Sequence, residues 1–508
     1  MTEKKPFLML RNGERALLRD LPVTGFSEFR DIVLGIIKDS GRAASFFAVP
    51  GGNAHARLYA VLAKDTEGKI FIAASDVENK YTSFTNDCAQ FARFEREIAE
   101  QWGIIPEGHP WLKPLRFHDC YRAGYDAWGR KSGEERLPGV TDFFRMEGTA
   151  IHEVGVGPVH AGVIEPGHFR FQCHGEHVYN LEISLGYQHR GIERALSGGP
   201  DKRTVRYMET LAGDTSIAHA SAYAQAVESL SRCGIPARAQ VLRGVMLELE
   251  RLANHTGDLG ALANDVAYLP TASYCGRLRG DFLNLTALVC GNRFGRGMVS
   301  PGGVEFDVDS VLTGELLKKL DEIFRDTAGA VNLMWDSPSC VERFERTGSL
   351  TRETAESLGI VGVAARASGI ERDARFDFPS GIYRLGHIPV STYPTGDVFA
   401  RAYVRWLEAQ RSVEFIKEQM SALPGDDIRV KTGRLEPDAI TVSLVEGWRG
   451  EICHTVLTGP DGKFKAYKIV DPSFHNWAAL EMVLRGEEIS NFPLCNKSFN
   501  LSYCGHDL

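Results

Sequence analysis

The sequence predicts an α+β protein in which a small N-terminal α+β module precedes a large, mainly helical domain with peripheral β-strands. Short apolar runs bounded by charged residues and glycine, at 58–63 and 69–74, predict strands of a small sheet near the N-terminus. Apolar residues at helical spacing over 216–231 and 236–257 predict long amphipathic helices in the second half. The two patterns occupy different parts of the chain, which favours two domains.

The N-terminal domain is predicted to span residues 1–118. Phe26 to Lys38 places its apolar side chains on one stripe and predicts a helix. A second helix begins near Phe91 and is predicted to stop at Gly103. Residues 119–149 hold many charges, several glycines and one proline with little periodicity, so they predict a linker.

The second domain is predicted to span residues 150–508. Its entrance and its end read as strands, and long helices lie between them. The segments with strand patterns are 151–163, 169–173, 179–185 and the stretch 428–470; the further helices are 311–331 and 397–420.

Composition excludes several classes of protein. The 508 residues carry a formal net charge of -8, which argues against a nucleic-acid surface. No stretch approaches the roughly 18 apolar residues of a spanning helix, and the N-terminal apolar run is too short for a secretory signal, so we expect a cytoplasmic protein. The ten cysteines include no Cys-x-x-Cys pair, so the sequence encodes neither a zinc ribbon nor a typical iron-sulfur motif.

Three polar constellations could carry chemistry, and each also has a plain structural interpretation. A loop punctuated by glycine and proline, 155–171, contains His160 and could present it into a cleft or simply form a hairpin turn. His189, Arg190 and Glu193 could tune an anionic cluster or exchange protons, or form an ordinary salt-bridged helix start.

The third constellation lies on the helix predicted at 236–257 and just beyond it. Arg251 and His255 are one turn apart and Asp258 follows three residues later, so the three could form a buried polar file or a solvated helix face.

Several segments, in order along the chain, resemble one superfamily. Residues 91–112 resemble the signature of the 30 kDa-type subunit of respiratory complex I, and 155–171, 185–194 and 209–223 resemble the hydrogenase large subunit and the complex I 49 kDa subunit. The chain is therefore similar to a fused large subunit of a group 4 membrane-bound nickel-iron hydrogenase or formate hydrogenlyase. This resemblance implies a hydrogenase-large-subunit-like fold for the second domain.

The resemblance also shows that two pairs of cysteines are missing from this chain. Two segments, which we call the first frame (212–215) and the second frame (473–476), resemble the places where the hydrogenases carry Cys-x-x-Cys. They hold Ala212 and Thr215, and Ser473 and Asn476. Soft thiolates are the usual ligands of nickel and iron in these proteins, so the sequence predicts that no nickel-iron centre is present and that the chain binds no metal.

Other uses of this cavity stay open. The position of the complex I quinone tyrosine is held by Gly213, so the usual quinone contact is also missing. Asp214, His219 and Asn476 could form a harder metal site, although their spacing does not specify one.

The resemblance implies roles and partners for the named residues. His160, Asp214 and His219 become cavity candidates; Arg251, His255 and Asp258 become proton-path candidates; His189, Arg190 and Glu193 would face a partner's iron-sulfur cluster. The implied partners are an iron-sulfur small subunit with a 4Fe-4S cluster, ferredoxin-like subunits and antiporter-like membrane subunits, with a quinone or another small electron carrier left open.

The sequence thus favours a peripheral subunit, on the inner face of the cell membrane, of an energy-converting oxidoreductase complex. Electron transfer at the partner's cluster would be coupled there to proton or cation movement. Two alternatives stay open: an active hydrogenase or quinone-reducing subunit with altered ligands, and a non-catalytic assembly scaffold. No nucleotide-binding fingerprint is present.

Overall fold

The computed structural model describes residues 5–51, 55–131, 133–162 and 164–508. Val163, at the end of a predicted strand segment, lies outside the described residues. The strands are β1 (Leu8–Leu10), β2 (Arg15–Leu17), β3 (Val23–Thr24), β4 (Arg42–Pro50), β5 (Ala56–Lys64), β6 (Lys69–Val77), β7 (Lys80–Thr82), β8 (Ile105–Glu107), β9 (Ile151–Val156), β10 (His168–His174), β11 (His177–Ser184), β12 (Val299–Ser300), β13 (Gly303–Val304), β14 (Ala439–Glu446), β15 (Glu451–Thr458) and β16 (Phe464–Val470).

The helices alternate with these strands and dominate the middle of the chain. They are α1 (Phe26–Lys38), α2 (Ala92–Trp102), α3 (Ile192–Ala195), α4 (Thr204–Met208), α5 (Ser216–Leu230), α6 (Ala237–Asp265), α7 (Leu269–Cys290), α8 (Ser310–Trp335), α9 (Pro338–Phe344), α10 (Arg352–Leu358), α11 (Gly362–Arg366), α12 (Ala374–Asp377), α13 (Val398–Ser421), α14 (Pro472–Val483), α15 (Phe492–Phe499) and α16 (Tyr503–Asp507). The mixture agrees with the predicted α+β class.

The N-terminal module forms as its periodicity predicts. Strands β1, β6, β5 and β4 make an antiparallel path, with β3 added parallel to β6, and α1 packs on this sheet. Helix α2 ends where Gly103 takes the left-handed conformation that a side chain disfavours. Residues 119–131 and 133–149 contain no helix or strand. The domain boundaries themselves stay predictions.

The two predicted domains share a sheet. Its order is β16, β15, β14 and β2, so the N-terminal strand β2 pairs antiparallel with β14 through Ala16 and Ile440. A single buried cluster contains Phe46 and Phe94 from the N-terminal module together with Leu444 and Phe474 from the end of the chain. The core therefore continues across the predicted boundary.

The helical body is built around α6, which packs against α7 and α13, and α8 packs on the outer side of α7. Helix α6 is longer than its predicted 236–257, and α7 is an addition to the predicted helices. The buried stripe Cys275, Leu278, Phe282 and Val289 is the helical signal for α7 in the sequence. Among the described residues, no helix is long and apolar enough to cross a membrane.

Two strand predictions need correction. Of the described residues in the predicted segment 151–163, which are 151–162, only those of β9 form a strand. The stretch 428–438, predicted as the start of the last strands, contains one isolated bridge, from Arg429 to Gly303, and no strand.

A buried ion cluster ties the N-terminal module to the rest of the chain. Arg42 on β4 binds Asp65 at 2.8 Å and Glu451 on β15, and Asp65 also accepts from Arg372 at 2.6 Å. The Arg42 side chain is only 2% exposed. Removing one partner of a buried pair leaves an uncompensated charge in the interior.

Arg42→Met should therefore lower the free energy of unfolding by about 3–5 kcal/mol, because Glu451 would stay buried without its cation. Urea unfolding of the purified chain measures this. Arg57→Met is the matched control, since Arg57 pairs with Asp76 in a pair that is 37% and 47% exposed and should cost at most about 1 kcal/mol. Equal losses in the two variants would contradict the assignment.

Candidate functional site

The first frame lies between α4 and α5 and is closed by hydrogen bonds. Asp214 has a φ of 57°, which turns the chain into α5. The Thr215 hydroxyl donates to the Gly213 carbonyl oxygen at 3.1 Å and accepts from Trp448 Nε1 and Arg449 Nη1, both at 3.1 Å. The only side-chain oxygen at a thiolate position of this frame therefore already has three partners.

Residues 500–508, which we call the C-terminal segment, pack on the first frame. Arg449 bridges them, because its Nη1 donates to the Gly213 carbonyl at 2.7 Å and its Nε to the Asn500 carbonyl at 2.6 Å. Glu165, from the loop that carries His160, accepts from the backbone nitrogen of Tyr503 at 3.0 Å and contacts the Cys504 thiol. Burial raises the pKa of that thiol, and the nearby Glu165 adds to the effect.

Only part of the second frame lies near the first. Ser473 Oγ accepts a hydrogen bond of 2.8 Å from the backbone nitrogen of Ser502, which belongs to the C-terminal segment. Asn476 points elsewhere and forms two hydrogen bonds of 3.0 Å with the backbone of Val361. The structure thus brings the segment around Ser502 to the first frame, and it does not bring Asn476 to Asp214 and His219 as a set of ligands.

The residues present do not fit a nickel-iron centre. Ala212 offers no donor atom, and the hydroxyls of Thr215 and Ser473 are engaged with protein groups. The guanidinium of Arg449 adds positive charge at this point, which disfavours a second cation. Across residues 5–51, 55–131, 133–162 and 164–508, no group of three or more His, Cys, Asp or Glu side chains is arranged to hold a metal ion.

The three cavity candidates occupy different environments. His160 is half-buried, with Nε2 at 2.8 Å from the Gly167 carbonyl and its ring against Phe169. Asp214 is 40% exposed and accepts from Arg279 at 2.9 Å. His219 is fully buried. The structure does not gather them into one cluster.

His219 lies in a file of buried polar groups. Its Nε2 is 3.1 Å from Asp471 Oδ2, and its Nδ1 is 3.1 Å from Nε2 of His454 on β15. His454 Nδ1 is in turn 2.9 Å from the hydroxyl of Tyr467 on β16. Of these four residues, only His219 is predicted from the sequence, since the other three come from segments more than two hundred residues away.

His189, Arg190 and Glu193 diverge rather than forming one patch. His189 is half-buried, with Nδ1 at 2.7 Å from the Asp507 carbonyl and its ring stacked on His118 at 4.6 Å. Burial, together with the nearby charge of His118 and Arg116, lowers the pKa of His189 to about 4. The imidazole is therefore neutral at physiological pH.

The other two members of that constellation face different ways. Arg190 is exposed and donates to the Thr210 carbonyl at 2.7 Å. Glu193 turns inward, where it binds Lys468 at 2.9 Å and accepts from the backbone nitrogen of Ile469. Glu193 thus anchors α3 to β16, and Arg190 is left on the surface.

The proton-path candidates belong to a larger buried network. Arg251 and His255 both bind Glu408 on α13, at 3.5 and 2.9 Å, and Glu408 also accepts from Arg366 at 2.8 Å. Burial by itself would raise the pKa of Glu408, but the cation of Arg366 and the hydrogen bond from His255 hold that pKa well below its ordinary value. Glu408, absent from the predicted residues, joins α6, α11 and α13.

A second carboxylate, Glu248, extends this network. It binds Arg251 at 3.1 Å and Arg375 at 3.2 Å, and it accepts from the hydroxyls of Ser412 at 2.6 Å and Tyr383 at 2.7 Å. Asp258 lies further along α6, where it accepts from Arg405 Nε at 2.7 Å and from Asn500 Nδ2 at 2.6 Å. The predicted buried polar residues of α6 are therefore present, but their hydrogen bonds connect α6 to other helices instead of following one face of α6.

The network reaches a cleft of about 630 Å³ between the N-terminal strand β2, α5, α6 and β14. Arg375, Tyr383 and Glu446 line this cleft and belong to or contact the network. Glu446 binds Arg366 at 2.7 Å, yet burial outweighs that cation and raises the pKa of Glu446. Glu446 therefore binds a proton more readily than an ordinary carboxyl group, and it lies where the network meets the cleft.

Glu250, next to Arg251 on α6, contacts the start of α5 just after the first frame. Its carboxyl group accepts from the backbone nitrogens of Ile217, at 2.7 Å, and Ala218, at 3.3 Å, at the start of α5. Burial raises the pKa of Glu250 to about 8, despite those hydrogen bonds. Its side chain is therefore mostly protonated at neutral pH.

Comparison with known proteins shows which proteins this chain is similar to. The family profile described as the respiratory-chain NADH dehydrogenase 49 kDa subunit matches residues 265–439. The matched relatives are hydrogenase large subunits and NADH-quinone oxidoreductase subunits, which supports placing the chain in the superfamily of complex I 49 kDa and hydrogenase large subunits.

Three relatives illustrate the range of this class. Formate hydrogenlyase subunit 5 of Escherichia coli is 28% identical over 469 residues, which cover 89% of this chain and 82% of the relative. Membrane-bound hydrogenase subunit alpha of Pyrococcus furiosus is 29% identical, covering 68% and 85%. NADH-quinone oxidoreductase subunit 4 of Thermus thermophilus is 29% identical, covering 67% and 90%.

Glu250→Gln tests the protonated carboxyl. A carboxyl group whose folded pKa is raised to about 8 from an ordinary 4.5 binds its proton in the folded state, so its contribution to stability falls as pH rises through that interval. The isosteric amide does not titrate. The free energy of unfolding of the wild type should therefore fall relative to the variant between those pH values.

Urea unfolding over this pH range measures the difference between the two proteins. Glu322→Gln, at an exposed position of α8, controls for the loss of a surface charge. A wild-type minus Glu250→Gln difference that stays constant with pH would refute a protonated Glu250.

Proposed function

We propose that this chain is the large subunit of a membrane-associated, energy-converting oxidoreductase complex that works without a nickel-iron centre. In this proposal an iron-sulfur cluster of a partner small subunit carries the electrons, and the chain couples their transfer to proton or cation movement. Ferredoxin-like and antiporter-like subunits would complete the complex. The proposal includes the fusion of a 30 kDa-like module, 1–118, to the large-subunit domain.

The observation that carries the proposal is the chemistry of the first frame. Thr215 Oγ1 is engaged by Gly213, Trp448 and Arg449, and Ala212 has no ligand atom. A nickel-iron site needs several soft thiolates, whereas Cys504, beside Glu165, has a raised pKa and is a single thiol. Hydrogen chemistry at these positions is therefore disfavoured.

The coupling part of the proposal is supported by the buried ion network. Its arginines, Arg251, Arg366 and Arg375, face the acids Glu248, Asp373, Glu408 and Glu446. The set has one more acid than arginines, and the pKa of Glu446 is raised. Glu250 near the first frame and Glu446 at the cleft are two carboxyl groups with raised pKa values, which suits proton exchange.

The surface around Arg190 is the proposed docking face for the iron-sulfur subunit. Arg190 is exposed, and its neighbour His189 stacks on His118, which itself stacks on Tyr121 at 4.7 Å. A fixed positive charge beside aromatic rings suits an anionic cluster, because it stabilises the reduced and more negative form. The neutral His189 would contribute hydrogen bonding rather than charge.

Metal analysis of the purified complex should find iron and no stoichiometric nickel, because the first frame supplies no thiolate. Elemental mass spectrometry against protein concentration measures both metals. Growth with added nickel serves as the control for supply. One nickel per copy of this chain would overturn the proposal and favour an active hydrogenase with altered ligands.

Replacing His189 and Arg190 together by alanine separates an electron-transfer role from a scaffold role. Loss of the exposed cation should leave assembly intact and slow reduction of the partner's cluster roughly tenfold, which corresponds to about 1.4 kcal/mol in the barrier. Stopped-flow reduction of the assembled complex measures the rate. Lys202→Ala, which removes another exposed cation near α4, should not change it.

If the double variant assembles normally and its cluster is reduced at the wild-type rate, the scaffold alternative gains support. Failure to assemble would instead assign the pair to docking, and comparison with Arg190→Ala alone would show which residue holds the partner.

A further inference from the structure

Four buried groups from three parts of the chain form a continuous hydrogen-bonded file. Asp471 Oδ2, His219, His454 and the Tyr467 hydroxyl are joined by successive distances of 3.1, 3.1 and 2.9 Å. Asp471, His219 and His454 are completely buried, and Tyr467 is 4% exposed. Such a file either fixes the core or moves protons, and its internal direction distinguishes it from a random polar cluster.

With both imidazoles neutral, one arrangement of protons satisfies every hydrogen bond in this file. Burial by itself would raise the pKa of Asp471, but the hydrogen bond and charge interaction with His219, together with the charge of Arg449, hold that pKa below its ordinary value, so the carboxylate can only accept. A neutral His219 then donates from Nε2 and accepts at Nδ1. His454, whose pKa burial holds well below the ordinary value, is neutral, so it donates from Nε2 and accepts at Nδ1 from Tyr467.

We propose that Tyr467, His454, His219 and Asp471 form a proton relay that delivers protons to the first frame. In one transfer, the Tyr467 hydroxyl gives its proton to His454 Nδ1, His454 Nε2 gives its proton to His219 Nδ1, and His219 Nε2 gives its proton to Asp471. A hydronium ion in the adjoining cleft replaces the proton on the Tyr467 oxygen and becomes water. One proton thus enters at the tyrosine, and Asp471 becomes neutral.

The two ends of the relay lie on different elements of the fold. Tyr467, on β16, is one of the residues that line a cleft of about 280 Å³, together with Gln101, Tyr121 and Glu193. At the other end, Asp471 caps α14 by accepting from the backbone nitrogen of Ser473 at 2.9 Å. The relay therefore runs from β16 through β15 and α5 to the start of α14.

Gly505 holds the second end close to the frame. A Cβ atom at this position would lie 2.7 Å from Asp471 Cγ, which real Cβ atoms essentially never do. Asp471 is thus pressed against the segment that contains Ser502 and Cys504, and Cys504 contacts Glu165 at 3.6 Å. A proton that reaches Asp471 therefore lies in the buried interior, beside the segment that packs on the first frame.

The first test asks whether the charge of Asp471 sets the direction of the whole file. Nitrogen-15 NMR of the full chain with labelled histidine, assigned with His219→Asn and His454→Asn, reports which ring nitrogen carries the proton. In the wild type, both histidines should carry it on Nε2. Asp471→Asn keeps a helix cap but removes the charge, so the ring shifts of His219 and of the more distant His454 should both change.

Asp507→Asn is the matched control, because Asp507 contacts another buried imidazole, His506, at 3.0 Å. It should alter His506 and leave His219 and His454 unchanged. A wild type with the proton on Nδ1 of either relay histidine would overturn the proposal. So would His454 shifts that do not respond to Asp471→Asn.

The second test rests on the proposed function and uses the assembled complex. Redox-difference infrared spectra should show a protonated carboxyl band when the partner's cluster is reduced, since the arriving negative charge favours protonation of Asp471. Asp471→Asn should remove that band, and Tyr467→Phe should slow its appearance at least severalfold.

The outcomes separate the two proposals. A wild-type complex with no redox-difference signal contradicts the proposed function and leaves the NMR result standing. Cluster signals accompanied by a carboxyl band that persists in Asp471→Asn contradict the relay and leave the proposed function standing.

Discussion

The pairing of charges inside the helical body is the constraint on which the rest of the structure depends. Glu408, on α13, takes Arg366 from α11 and both Arg251 and His255 from α6, and all four side chains are essentially inaccessible to water. Burying one ion without a partner costs several kcal/mol, so these helices can pack only in the arrangement that satisfies every charge. Hydrophobic stripes alone would allow the helices to slide or rotate. The ion network fixes their register.

The same principle positions the candidate site. Arg449 extends from the turn between β14 and β15 and is held by carbonyl oxygens of Gly213 and Asn500, so it fastens the C-terminal segment to the first frame. Trp448, beside it, donates to the Asp214 carbonyl oxygen and Thr215. The guanidinium and the indole thus satisfy the polar groups of the first frame.

The residues with displaced pKa values follow from these contacts. Glu250 and Glu446 are raised because burial exceeds the help from their partners, whereas Glu408 and Asp471 are lowered because cations or imidazoles outweigh burial. Carboxyl groups of both kinds therefore occur close together in one protein interior. Shifted pKa values of this kind occur at functional sites and in buried structural ion networks alike.

The sequence by itself determined the local elements. The spacing of apolar residues predicted α1, α5 and α13 to within about one residue, and Gly103 predicted the end of α2, because these features depend on neighbours within a few positions. It also determined the absence of thiolates at Ala212 and Thr215. It gave no sign of Glu408 as a hub, since its partners Arg251 and Arg366 lie on other helices.

Only the tertiary structure decided which distant side chains meet. His219 joins Asp471 and His454 across more than two hundred residues, and β2 pairs with β14 although the chain separates them by more than four hundred. The tertiary structure also decided that Asn476 bonds Val361, and that the segment around Ser502, rather than Asn476, lies at the first frame. Periodicity reports which face of an element is buried, but contacts between elements depend on charge pairing and packing that no local pattern records.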